Sequence, residues 1–127
     1  MVANTQNRTI LIVEDDPVLA LDLMGLLEGA GYQVLGVAES GEQALVLAKV
    51  RPADILVMDV NLSAGGGRLD GVETALLISG GGPASVVFVT AEPPGEVDRR
   101  CRAIPGAAVV GKPYSTAALL RAVRRAA

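Results

Sequence analysis

Carboxylates at Glu14, Asp15 and Asp59, a hydroxyl at Thr90 and an amine at Lys112 lie far apart in the chain. Each follows a short apolar run: TILIV before Glu14, ILVM before Asp59, VVFV before Thr90 and AVVG before Lys112. Three carboxylates within reach of one another repel, and without compensation at least one takes up a proton. A hard divalent cation such as Mg²⁺ removes the conflict, because it takes oxygen ligands, commonly one or two carboxylates with waters and phosphate oxygens. Lys112 adds a second positive charge that can hold an incoming phosphoryl oxygen. Beside both, Asp59 can act as a nucleophile and form an acyl phosphate, while the Thr90 hydroxyl donates to the new phosphoryl oxygens. Phosphoryl transfer asks mainly for positioning and charge neutralisation, and these residue types supply both.

Those side chains can meet only if the runs that carry them are neighbouring strands. Thr9–Val13 reads as a buried strand. Asp16 is then an N-cap and Pro17 a first helical residue, with Leu19, Leu23, Leu26, Leu27 and Ala30 on one helical face and Gly29 and Gly31 as stop signals. A second strand is expected over Gln33–Val37. Ser40 opens a capping box with Gln43, and the helix behind it ends before Pro52. Ile55–Met58 forms a third strand closed by Asp59, followed by the loop NLSAGGGRLDG and a helix near Val72–Ser79. Val86–Val89 is a fourth strand ending at Thr90. A weaker helix near Glu96–Ile104 is delayed by Pro93 and Pro94, Ala108–Val110 is a short fifth strand, and Ser115 caps a last helix. Strands separated by single helices imply right-handed crossovers and a parallel sheet. The expected fold class is therefore α/β: a flavodoxin-like (βα)₅, doubly wound, five-stranded parallel sheet of order 2-1-3-4-5. Residues 1–8 form a polar N-terminal tail and residues 9–127 the single domain. Such sheets bind ligands at the carboxyl ends of their strands, near the point where strand order reverses.

Composition narrows the chemistry. The 127 residues are half apolar, with one Phe, two Tyr and no Trp, so the core is aliphatic and suits strands buried on both faces. A net charge of −3 argues against direct nucleic-acid binding. With no histidine anywhere, Ser-His-Asp catalysis, a Cys/His pair and His-ligated zinc are excluded. Lone Cys101 cannot form an internal disulfide, which suits a reducing compartment. Residues 1–8 lack the apolar core of a signal peptide, and Asp22 interrupts the longest apolar run, so no membrane association is expected and the protein is read as cytoplasmic. The glycines at 65–67 lack the spacing of a phosphate loop, and Arg99, Arg100 and Arg102 read as a solvated helix face.

Taken one at a time, the key residues have ordinary explanations. An acidic run at a helix start complements the helix dipole, an Asp after a strand is a turn residue, and Lys before Pro is a solvated turn. Their common place at one sheet edge is what departs from the ordinary. The stretches ILIVEDDP, LVMDVNL, VVFVTAE and VVGKPYS resemble the response-regulator receiver domain, in order and spacing, from Thr9 to about Arg125. The resemblance implies an acidic pair at Glu14 and Asp15, with Asp15 binding Mg²⁺ directly and Glu14 through water. It implies Asp59 as phosphoacceptor and metal ligand, the backbone carbonyl of Asn61 as a further ligand, Thr90 as switch hydroxyl and Lys112 as the family's lysine, its bond to Pro113 often cis. Ala91, Glu92 and Val109 take switch or modulating positions, and Asn61 and Glu92 flank the path of a hydrolytic water.

The resemblance also implies a role. The chain is expected to be a stand-alone phosphorelay component, a phosphoprotein of two-component signal transduction. A histidine kinase or histidine phosphotransfer protein would donate the phosphoryl group, a downstream protein would read it, and a homodimer stays open. It would be a phosphoacceptor switch with at most slow self-dephosphorylation, rather than an enzyme. Three features depart from the family's pattern. The loop from Asn61 to Gly71 is long, Val109 stands where an aromatic is usual, and Pro93-Pro94 alters the fourth helix. Two other readings follow. One is a phosphorylation-independent interaction module on the same scaffold. The other is a Mg²⁺-dependent phosphatase with an aspartate nucleophile, ranked below because such enzymes carry that Asp on the first strand.

Overall fold

A computed structural model of the protein describes residues 8–62, 69–80, 85–91, 99–101 and 104–126. Its strands are β1 (Thr9–Val13), β2 (Gln33–Ala38), β3 (Ile55–Asp59), β4 (Ser85–Thr90) and β5 (Ala108–Gly111). Its helices are α1 (Pro17–Gly29), α2 (Gly41–Val50), α3 (Gly71–Gly80) and α4 (Thr116–Ala126). Residues 99–101 are also helical, inside the helix expected over Glu96–Ile104, but Ile104 already lies in a bend. Pro93, Pro94 and the glycines at 65–67 fall outside the described residues.

The strands form one all-parallel sheet of order β2-β1-β3-β4-β5, as the sequence reading expects. Alternation along each strand sends side chains to opposite faces. Leu11, Val13, Leu56, Met58, Val86 and Phe88 meet Ala44 of α2 and Val72 and Ala75 of α3. Ile10, Ile12, Ile55, Val57, Val87 and Val89 meet Leu23 and Leu27 of α1 and Leu119 and Val123 of α4. Both faces are thus covered, and β3, buried along its whole length, is apolar up to the point where Asp59 ends it. Each fully buried aliphatic side chain contributes about 1.5–3 kcal/mol, which explains why these runs fold as central strands.

Local signals fix the helix ends. Asp16 caps α1, its Oδ1 accepting from the Val18 N–H at 2.9 Å, and Pro17 opens the helix. The buried stripe of α1 is Ala20, Leu23 and Leu27. It is rotated slightly from the expected face, so that Leu19, Leu26 and Ala30 are only partly covered. Ser40 caps α2 by accepting from the Gln43 N–H at 3.1 Å. The reciprocal bond goes to the Glu39 N–H at 2.6 Å, one residue earlier than a standard capping box would place it. The start of α3 carries a box that the sequence reading did not single out: Asp70 Oδ1 accepts from the Glu73 N–H, and Glu73 Oε1 from the Asp70 N–H. Asp70 also pairs with Arg100, so one member of the arginine cluster holds a specific contact with the start of α3. No helix among the described residues is long and apolar enough to cross a membrane.

Candidate functional site

Strand order reverses between β1 and β3, and their parallel register sets Val13 beside Met58. The next residues, Glu14 and Asp59, therefore leave the sheet side by side. On the other side, Asp59 pairs with Val89 and Thr90 with Gly111, and the Lys112 N–H donates to the Thr90 carbonyl at 2.7 Å. Register alone delivers the three strand ends and Lys112 to one edge.

The side chains converge there. Carboxylate oxygens of Glu14, Asp15 and Asp59 all lie within 4.8 Å of one another. Lys112 Nζ stands 3.1 Å from Glu14 Oε1 and 3.5 Å from Asp59 Oδ2. Two backbone donors orient the acids: the Asp16 N–H reaches Glu14 Oε2 at 3.1 Å, and the Asn61 N–H reaches Asp59 Oδ1 at 3.0 Å. Glu14, Asp59 and Thr90 are buried, at 2%, 8% and 1% exposure, whereas Asp15 is half-buried and opens the cluster toward solvent. The Lys112–Pro113 bond is cis.

The electrostatics are unbalanced in a telling way. Burial pushes the Glu14 carboxyl up to about 7; the Asp59 charge adds to the rise, and the Asp16 N–H and Lys112 oppose it. Burial alone would lower the Lys112 ammonium, but the Asp59 and Glu14 carboxylates outweigh it and hold Lys112 above its ordinary value, as a cation. One lysine thus pairs with two of three clustered carboxylates, so acids outnumber bases at this sheet edge. An all-oxygen donor set with excess negative charge and one half-exposed member fits a hard dication such as Mg²⁺. Among the described residues, no cysteine joins the group that would favour a softer metal.

The raised Glu14 pKa has a measurable consequence without metal. Its unfolded value lies near 4.5 and its folded value near 7, so between the two the folded state binds the extra proton. Stability contributed by Glu14 is therefore complete below the lower value and is lost as pH rises through the upper one. In EDTA, the denaturation free energy should fall with rising pH across this window, and Glu14→Gln should flatten that slope. An unchanged slope in the variant would contradict the assignment.

Of the other residues singled out in the sequence, Ala91 is exposed directly after Thr90, and Val109 is half-buried against the α2–α3 side of the core, paired in register with Phe88. Glu92 lies outside the described residues. One structural requirement escaped the sequence reading. Gly71 packs against the Asp59 backbone, where a Cβ would overlap the Asp59 carbonyl oxygen, and its N–H donates to the Val60 carbonyl at 2.9 Å. A bare Cα at this place lets α3 start directly on the chain segment that carries Asp59. The dipeptide Asp70-Gly71, with Glu73 beyond it, was the available signal.

Comparison with known proteins agrees with this geometry. A family model described as the response regulator receiver domain matches residues 10–124. The transcriptional regulatory protein PdtaR of Mycobacterium tuberculosis is 32% identical over 119 residues, 94% of this chain and 56% of that protein. The phyllosphere-induced regulator PhyR of Methylorubrum extorquens is 41% identical over 86 residues, 66% of this chain and 31% of that protein. The chain thus spans about half or less of the length of these curated relatives. Among solved structures, the signal receiver domain of a modulated diguanylate cyclase from Desulfovibrio desulfuricans G20 aligns with a TM-score of 0.82 at 35% identity, covering 93% of this chain and 91% of that one.

Proposed function

The chain belongs to the response-regulator receiver family, and from that premise we propose that Asp59 is its phosphoacceptor, in a Mg²⁺-dependent transfer from a phosphohistidine donor. Domains of this family are signalling switches rather than enzymes. The observation that carries the proposal is Asp59 itself: a buried carboxylate at the strand-order reversal, oriented by the Asn61 N–H and facing the Lys112 ammonium at 3.5 Å.

In the proposed step, an Asp59 carboxylate oxygen attacks phosphorus. The P–N bond to the donor imidazole breaks, its electron pair stays on the ring nitrogen, and an acyl phosphate remains on Asp59. Lys112 lies where it can neutralise charge on a phosphoryl oxygen. Thr90, buried at the end of β4, supplies the hydroxyl that reads the product. Glu14, Asp15 and Asp59, with the Asn61 carbonyl, are the residues that would hold Mg²⁺, with residues 9–127 forming the receiver unit. Bound there, the ion would neutralise carboxylate and phosphoryl charge together. The donor would be a histidine kinase or histidine phosphotransfer protein, and the phosphorylated state would alter affinity for a downstream protein. Such a local charge event biases a two-state surface. Val109 is too small for the inward swing of an aromatic, so the readout would not run through a side chain at that position.

Beryllofluoride, a phosphoryl mimic, tests this reading. With Mg²⁺ it should raise the thermal midpoint, in line with about 2.7 kcal/mol of added stability at a hundredfold excess over Kd. Either component alone should do less, and Asp59→Asn should abolish the joint effect. No shift with both components present would contradict the proposal.

A further inference from the structure

The Lys112 ammonium meets Glu14 and Asp59, but its backbone has only a short strand behind it. β5 has only four residues and lies at the edge of the sheet, and its last ladder bond is the Lys112 N–H to the Thr90 carbonyl. The three residues between Lys112 and α4 are Pro113, Tyr114 and Ser115. Pro113 and Ser115 are exposed, and Ser115 serves α4 by accepting from the Ala118 N–H at 3.1 Å. Only Tyr114 turns back to the protein body. Its ring packs against the α1–α4 side of the core, and its hydroxyl donates to Asp22 Oδ2 of α1 at 2.9 Å.

That bond joins the segment after Lys112 to the helix that follows directly on Glu14 and Asp15. Burial first, then the Asp22 hydrogen bond and the Asp22 and Glu14 charges, push the phenol well above its ordinary pKa, so it stays a donor. Apolar packing alone would be served equally well by phenylalanine, and the hydroxyl adds the directional tie.

We propose that Tyr114 is a positioning residue for Lys112: its hydrogen bond to Asp22 fixes the Lys112 segment against α1 and so holds Nζ in line with the Asp59 carboxylate. The proposal rests on the phosphoacceptor reading of Asp59. It does not require Tyr114 to touch the phosphoryl group, and it separates two functions of the pocket. Metal binding depends on the acids at the ends of β1 and β3, while the placement of the lysine depends on Tyr114 and Asp22.

The test is single-turnover labelling with saturating acetyl phosphate and Mg²⁺, beside a Mg²⁺ titration of each protein. Tyr114→Phe should slow labelling about fivefold, the scale of one lost solvent-accessible hydrogen bond, and leave the Mg²⁺ dissociation constant within about twofold. Asp22→Ala, at an exposed position, should give the same loss. Asp22→Asn, which keeps an acceptor, should retain the wild-type rate. The double variant Tyr114→Phe/Asp22→Ala should be no slower than either single one, because both remove the same bond. Wild-type labelling in Tyr114→Phe, losses that multiply in the double variant, or a parallel loss of Mg²⁺ affinity would each overturn the positioning role while leaving Asp59 as acceptor. A wild-type protein that takes no label, or an Asp59→Asn protein that does, would overturn the acceptor reading and this proposal with it.

Discussion

Asp59→Asn should take up no phosphoryl label from acetyl phosphate or from a kinase, a loss of at least about a thousandfold, the scale seen when a nucleophile is removed. An amide oxygen carries no charge with which to attack phosphorus and forms no acyl phosphate. The fold should survive. Asn retains an oxygen for the Asn61 N–H, now at 3.0 Å from Asp59 Oδ1, and the substitution removes one of three clustered like charges. A cooperative melt at or above the wild-type midpoint would show that the loss is chemical. Full labelling of the variant would mean that another residue is the acceptor.

Lys112→Ala should produce the second largest effect, and it should appear in two separable readouts. The first is labelling, expected to slow by about a hundredfold, the typical loss when one positioned donor to developing charge is removed. Mg²⁺ binding should persist, because no carboxylate is lost. The second is stability. Lys112 is the cation 3.1 Å from buried Glu14, and without it a carboxylate remains in the pocket with the Asp16 N–H as its described donor. At pH 8 the variant should lose on the order of 2 kcal/mol. Near pH 5 the deficit should shrink, since Glu14, whose carboxyl burial pushes up to about 7, is then neutral and has no ion pair to lose. Denaturation at the two pH values checks the sign. A deficit larger at pH 5 than at pH 8 would contradict the pairing.

Much of this site was readable before any coordinates, for a definite physical reason. Parallel strands buried on both faces are written as uninterrupted branched aliphatic runs, and a polar residue that ends such a run marks the edge of the sheet. Glu14, Asp59 and Thr90 each do so, and the crossover rule then places them on one edge. The N-caps at Asp16, Ser40 and Ser115 were equally legible, because a short polar side chain before an apolar helical pattern has few other uses.

What the sequence did not disclose is contact between segments distant in the chain. Tyr114 and Asp22 are 92 positions apart, and no periodicity links them. Arg100 read as one of a solvated cluster, since nothing local points it at Asp70, thirty residues earlier. Gly71 could be taken for a loop residue, because its necessity comes from the Asp59 backbone pressed against its Cα. The imbalance of charge was foreseen in kind from three acids and one amine. Its resting place on Glu14 was not, because that depends on which carboxylate the fold buries most deeply.

Phosphoryl transfer is expected to end on Asp59. Reductive trapping with borohydride converts an aspartyl phosphate to homoserine, and peptide mapping after labelling with acetyl phosphate and Mg²⁺ locates it. Homoserine should form at position 59 alone, with Mg²⁺ present, and be absent in EDTA. Homoserine at Asp15 or elsewhere, or a labelled protein with Asp59 intact, would contradict it.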